Sequence, residues 1–441
     1  MQPQISWTDL SNSKVGIWGY GLEGKASEAK LLSLGNTPVI VDESLAQSEN
    51  DPLKSFDTGG YELLAACDYV LKSPGISRYG TQAKKLADDT PLLGALGIWL
   101  QGVDPSKVIC VTGTKGKSTT SALVTLILET LGHKVFFGGN IGRSPLEVGS
   151  DEKFDYWVLE TSSFQVTDLS CAPKVVGLTS LHPDHVNWHG SLDQYYLDKL
   201  SITKLPGLKN VISNADDLTL QNRLDVKNIS AKMSTTSHQD LENIIGHDTK
   251  LRGSHNRSNM ALAIKCVEAL LDSETSILQN ASVIEAVTSF AGLEHRFQTV
   301  GRIGSVEFIN DSLSTNALPT IAALKALAES DVAIILGGFD RGVDYTELVE
   351  YLLTRLDHTF IACIPDTGVW LKEQLILKKY PLDRIILCED LKDATTASFE
   401  WAKKHLNSYV LLSPAAASFN SFKDYKERGE VFSDLVSDLE Q

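Results

Sequence analysis

Twice in this 441-residue chain a short apolar run leads into a glycine-rich loop and then into a helical pattern. The first is Val15-Gly16-Ile17-Trp18, then Gly19-Tyr20-Gly21-Leu22-Glu23-Gly24, with helical residues at 25–34. The second is Val108-Ile109-Cys110-Val111, then Thr112-Gly113-Thr114-Lys115-Gly116-Lys117-Ser118-Thr119, with helical residues at 120–131. A strand–loop–helix unit of this kind packs back on itself as part of a parallel sheet with helices on its faces. Short apolar runs and helical patterns alternate almost throughout, so the chain is expected to be α/β in three blocks, 1–93, 94–298 and 299–441. About three domains is also what the length suggests at roughly 150 residues each. In the third block, 306–309, 332–336, 360–364, 384–388 and 409–412 read as strands.

The first loop has the Rossmann layout. Its glycines let the backbone approach a diphosphate, and the next apolar run, Pro38-Val39-Ile40-Val41, ends at Asp42, an acid placed to accept from a ribose or base. A tight turn with no ligand, or a nicotinamide site, fits the same residues; nothing later in the chain supports redox chemistry. The second loop is more specific. Its N–H groups converge on phosphate oxygens at a helix N-terminus, Lys117 would bridge the outer phosphates, and Ser118 would help hold Mg²⁺. The spacing G-x-x-G-K-S is two residues shorter than the usual phosphate-loop pattern. Tyr156-Trp157-Val158-Leu159 reads as a buried strand ending in Glu160, where a metal-holding acid is expected.

His182, His185 and His189 lie close together, but their spacing matches no zinc pattern and no Cys is near. One of them serving a Mg²⁺ or phosphate site fits better. Residues 193–204 form a helical pattern whose Lys199 and Lys204 read, by composition alone, as a solvated face.

Lys plus Arg is 40 and Asp plus Glu is 56, a net charge of −16, which argues against a broad nucleic-acid surface but not against a local anion site. No run reaches the roughly 18 apolar residues of a membrane helix, and the first residues lack a signal-peptide pattern. The six Cys are scattered, as expected for buried free thiols in a reducing cytoplasm.

Beyond these loops, Gly139-Asn140-Ile141-Gly142, Leu159-Glu160-Thr161-Ser162-Ser163-Phe164-Gln165, Asp184-His185, Asp198-Lys199-Leu200, His255-Asn256-Arg257-Ser258-Asn259, His295-Arg296-Phe297, Asn310-Asp311-Ser312 and Leu412-Ser413-Pro414-Ala415 follow in order. Together with the second loop they resemble the Mur ligases, the ATP-dependent amino-acid-adding enzymes of peptidoglycan synthesis, over essentially the whole chain. The resemblance implies a Rossmann-like N-terminal domain binding a UDP-sugar, a P-loop-type central ATPase domain, and a Rossmann-like C-terminal domain binding the amino acid. The first loop and Lys72-Ser73-Pro74-Gly75-Ile76-Ser77 look like the glutamate-adding member, whose substrate is UDP-N-acetylmuramoyl-L-alanine.

The resemblance also implies roles. Gly113, Thr114, Lys115, Gly116, Lys117, Ser118 and Thr119 would hold the ATP phosphates. Asn256 and Asn259 would face adenine, Arg296 the γ-phosphate and Asp311 the ribose. Ser118 and Glu160 would hold one Mg²⁺, and His185 a second, with Lys199 as its N-carbamate. Leu22, Asp42, Gly75 and Asn140 would contact the UDP-sugar, and Thr315, Arg341, Ser418 and Tyr425 the glutamate. Domain closure is expected, since three substrates touch three domains.

Two positions depart from the commonest D-glutamate pattern. Leu313 stands where many members have Lys, and Arg341 where a Lys usually meets the glutamate carboxylate. Arg can clamp a carboxylate bidentately, so this exchange changes geometry. These features, with Trp188-His189-Gly190 and Asp340-Arg341-Gly342-Val343-Asp344, look more like a branch that adds L-glutamate and relies on a separate epimerase. The D-glutamate-adding ligase stays open, as does, further off, a nucleotide-binding switch, although a guanine-specifying Asn-Lys-x-Asp is lacking.

Overall fold

The computed structural model describes residues 5–43, 55–149, 151–246, 249–251, 253–340, 345–419 and 421–439. Three separate sheets are formed. The first holds β1 (Val15–Trp18), β2 (Val39–Val41), β3 (Tyr69–Lys72) and β4 (Leu92–Leu93), ordered β2-β1-β3-β4 and all parallel. The second holds β5 (Val108–Thr112), β6 (Val135–Gly139), β7 (Tyr156–Glu160), β8 (Val175–Leu178), β9 (Asn210–Asn214) and β10 (Lys232–Thr236), ordered β10-β9-β8-β5-β7-β6, again parallel. The chain forms two compact units, 1–290 and 291–441, and both of these sheets lie in the first.

Strand β5 is buried over all five residues, as a central parallel strand covered on both faces must be, which is why it reads as an unbroken apolar run. On one face of the second sheet, Ile109 and Val111 pack with Leu123 and Ile127 of the helix Lys117–Thr130 and with Met260 and Ile264 of the helix Ser254–Leu270. On the other, Val108 and Cys110 pack with Leu100, Tyr195 and Leu200.

The second unit holds β11 (Gln298–Ile303), β12 (Val306–Asn310), β13 (Val332–Gly338), β14 (Thr359–Asp366), β15 (Ile385–Leu387) and β16 (Ser408–Leu412), ordered β11-β12-β16-β13-β14-β15. Its sheet is parallel except for the edge hairpin β11–β12, which carries a bulge between Thr299 and Gly301. Sequence reading finds β12 but not β11. This edge strand is nowhere fully buried and carries Gln298, Thr299 and Arg302, so it leaves no apolar run to see.

The six Cys are free thiols, all buried except the half-buried Cys171. Among the described residues no helix is long and apolar enough to cross a membrane.

Candidate active site

The phosphate loop sits between β5 and the helix Lys117–Thr130, whose N-terminal N–H groups and dipole favour an anion there. Gly113 is required by space as well as by conformation: its φ is 149°, and a Cβ there would lie 1.9 Å from Thr179 Oγ1. The loop is held by the end of β8. Thr179 Oγ1 donates to the Lys115 carbonyl at 2.6 Å, and the Lys115 N–H donates to Ser180 Oγ at 2.8 Å. The Thr114 and Tyr195 hydroxyls meet at 2.8 Å, and Lys117 Nζ donates to the carbonyls of Gly113 and Thr114 at 3.0 and 3.1 Å. Beside the loop lies a cavity of about 610 Å³ whose walls include Lys115, Gly116, Asn259, Asp216 and His255. Asn256 lies one turn before Asn259 on the same helix.

Register places Val111 of β5 beside Glu160, the last residue of β7. The Glu160 carboxylate is buried and accepts from Ser118 Oγ on one oxygen and from Asn140 Nδ2, at 2.8 Å, on the other. Lys199 comes from the helix Leu192–Leu200 and is 3% exposed. This corrects the solvated-face reading: Tyr195, Tyr196 and Leu200 turn that stretch of helix inward, and Lys199 Nζ donates to the Gly113 carbonyl at 3.0 Å. Burial, and then the neighbouring Lys117, hold the Lys199 amine well below the usual lysine range, while Asp184 and Glu160 pull the other way. Lys204, exposed and paired with Asp225 at 3.0 Å, does fit the solvated reading.

His185 adopts a left-handed backbone (φ 49°), and its ring lies 4.8 Å from that of Phe164. Burial lowers its pKa, which favours the neutral imidazole that can ligate a metal. Among the described residues no group of three or more His, Cys, Asp or Glu is placed to hold a metal ion. The set implied by resemblance differs in kind, since it uses a serine hydroxyl and a modified lysine.

Leu22, Gly75 and Asn140 come together on a smaller cavity of about 270 Å³, shared with Glu23, Phe164 and Gln165. One oxygen of Asp42 accepts from the Tyr20 N–H at 2.5 Å, which holds the glycine loop to the end of β2. Burial raises the Glu23 carboxyl to about 7, although Gln165 Nε2 donates to it at 3.2 Å. Behind it, Lys72 and Asp168 form a buried pair at 3.1 Å.

In the second unit, Asp311 and Thr315 follow the C-terminal end of β12, and Ser418 and Tyr425 that of β16, the end at which open α/β sheets bind ligands. Asp311 is buried and accepts from the Phe297 N–H at 3.0 Å, Ser314 Oγ at 2.6 Å and Ser413 Oγ at 2.7 Å. Its pKa is raised because burial outweighs these donors. The Tyr425 carbonyl accepts from Ser312 Oγ at 2.7 Å, Ser418 is buried, Thr315 half-buried, and Arg296 exposed. Arg341 lies outside the described residues.

Sequence reasoning missed Tyr195, Glu23 and Asp198. Tyr195 had a usable signal, since it stands four residues before Lys199 and so shares its helix face.

The model of the Mur ligase middle domain matches residues 111–267. The UDP-N-acetylmuramoyl-L-alanine--L-glutamate ligase of Salinispora tropica is 30% identical, the match covering 98% of this chain and 99% of the relative. The ligase of the same name from a Micromonospora species is 31% identical, covering 98% of each chain. Among solved structures, the UDP-N-acetylmuramate-alanine ligase of Thermotoga maritima superposes with a TM-score of 0.46 at 19% identity, over 97% of this chain and 100% of that one.

Proposed function

The chain belongs to the Mur ligase family, ATP-dependent ligases that form peptide bonds in peptidoglycan synthesis, and we propose that it joins L-glutamate to UDP-N-acetylmuramoyl-L-alanine. The observation that carries this reading is the near full-length match, at 30 and 31% identity, to ligases of that name. The cluster of Lys117, Ser118, Glu160 and Lys199 around one phosphate loop supports it.

The chemistry is ligation through an acyl phosphate. The alanyl carboxylate attacks the γ-phosphorus of ATP and ADP leaves; the glutamate amine then attacks the acyl carbon and phosphate leaves. Carboxylate and triphosphate repel, so cationic and N–H groups must be aimed at the transferring phosphoryl group beforehand. In this reading Lys117 and the loop N–H groups do this. No covalent enzyme nucleophile is needed.

The donors gathered at the loop suit a hard cation: a serine hydroxyl and a carboxylate whose other oxygen is held by the Asn140 amide. Ser118 and Glu160 would hold one Mg²⁺, and His185 with a carbamate on Lys199 a second. Bound there, Mg²⁺ supplies charge neutralisation on the phosphate oxygens. The lowered pKa of Lys199 favours the neutral amine, whose lone pair would add to CO₂ with loss of a proton to give an anionic oxygen donor.

In this reading residues 1–93 bind the UDP-sugar, 94–298 ATP and 299–441 glutamate, with Arg341 clamping a glutamate carboxylate. In the same reading the enzyme works in the cytoplasm, and a separate epimerase inverts the added residue. The test is purified protein with UDP-N-acetylmuramoyl-L-alanine, ATP, Mg²⁺ and each glutamate enantiomer, read by mass spectrometry. Amide product with L-glutamate is expected. Product with D-glutamate alone would reverse the enantiomer, and no product with either would end the ligase reading.

A further inference from the structure

A buried hydrogen-bonded chain runs beside the phosphate loop and has no part in the chemistry above. Ser163 Oγ and His189 Nε2 are 3.0 Å apart, and His189 Nδ1 and Asp198 Oδ2 are 2.5 Å apart. A carboxylate only accepts, so Nδ1 donates to Asp198, and in the neutral ring Nε2 accepts from the serine hydroxyl. The other Asp198 oxygen accepts from Tyr79 OH at 2.7 Å and from Gln194 Nε2 at 2.8 Å. Ser163, His189 and Asp198 are 1, 2 and 7% exposed.

The order Ser–His–Asp is that of a nucleophilic triad. Burial argues against that use, because a serine hydroxyl 1% exposed has no route to a substrate. What the chain does join is positions. Ser163 lies three residues after Glu160, His189 four after His185, and Asp198 immediately before Lys199, so it ties together three of the four segments that carry the proposed metal ligands, all but that of Ser118. Tyr79 extends it to the loop following β3, which contains Gly75. That loop is docked at two further points: Trp188 Nε1 donates to the Pro74 carbonyl at 3.0 Å, and Ser77 Oγ donates to the Trp188 carbonyl at 2.5 Å.

Asp198 and Lys199 are consecutive residues of one helix and point to different sides. Asp198 reaches the loop that lines the UDP-sugar cavity, and Lys199 reaches Gly113 of the phosphate loop. A helical turn is stiff, so displacing one side chain's anchor displaces the other. We propose that Tyr79, Asp198 and His189 are positioning residues that couple occupancy of the UDP-sugar cavity to the geometry of the nucleotide site. This inference rests on the ligase reading for the identity of the two ligands.

Titration calorimetry on the full chain tests it. UDP-N-acetylmuramoyl-L-alanine is titrated with and without AMP-PNP and Mg²⁺, using wild type, Tyr79→Phe and Asp198→Asn. In wild type the nucleotide should change the UDP-sugar Kd by about fivefold or more, within the usual range of coupling between sites. Tyr79→Phe removes one hydroxyl and should cut that factor below about twofold, with AMP-PNP binding alone unchanged; Asp198→Asn should do the same. Coupling retained in both variants would overturn the proposal, as would its absence from wild type or a fluorophosphonate adduct on Ser163. Failure of wild type to bind the UDP-sugar at all would instead remove the ligase reading on which the proposal stands.

Discussion

Lys199 and Glu23 have pKa values that their surroundings shift. Lys199 is a buried amine held low by desolvation and by Lys117. In the proposed carbamate role, Lys199→Ala should lower the rate by about 10²–10³-fold, the range for losing one preorganised charged group. Added short carboxylates should restore part of it, and a fully active variant would contradict the role. Glu23 is raised by burial from the usual 4.5 to about 7. The stability carried by its protonated form is complete below about 4.5 and is lost as pH rises through about 7. Glu23→Gln removes that dependence, so thermal melting should find the variant more stable than wild type at about pH 8, with the gap closing toward about pH 5. Parallel curves would contradict the burial argument.

At the scale of elements, the phosphate loop, β5, β7 and Glu160 were legible because fully covered parallel strands read as continuous apolar runs and the loop has a fixed grammar. The antiparallel β11 was not legible, since an edge strand need bury nothing. The chain from Ser163 through His189 and Asp198 to Tyr79 was not legible either. It joins residues up to 119 positions apart, and each taken singly looks like an ordinary polar residue. Lys199 was misread by composition for the same reason: burial is decided by what the helix packs against. The first glycine loop makes an element-scale prediction. A Cβ at Gly24 would lie 2.2 Å from the Gly19 carbonyl oxygen, whereas one at Gly21 meets nothing within 4 Å. Gly24→Ala should therefore cost about 2 kcal/mol or more in urea unfolding and Gly21→Ala less than about 1. Equal costs would contradict the close-packed turn.

At the scale of the whole molecule, the unit 1–290 holds two sheets and the unit 291–441 one, and each unit has its own core. A chain built this way should not unfold in one step. Calorimetry should resolve two transitions, and AMP-PNP with Mg²⁺ should raise the one belonging to 1–290, which contains the phosphate loop. One transition, unmoved by nucleotide, would contradict both the division and the site. The net charge of −16 also acquires meaning at this scale. A UDP-sugar, ATP and glutamate are all anions, so an acidic protein that handles them must concentrate its cations locally, as the loop residue Lys117 does.

The central claim is that ATP activates the alanyl carboxylate as an acyl phosphate. UDP-N-acetylmuramoyl-L-alanine carrying ¹⁸O in that carboxylate, turned over with ATP, Mg²⁺ and L-glutamate, tests it most directly. The oxygen that bridges carbon and phosphorus leaves with the phosphate, so one ¹⁸O per turnover should appear in the released inorganic phosphate. Amide product accompanied by unlabelled phosphate would contradict the account.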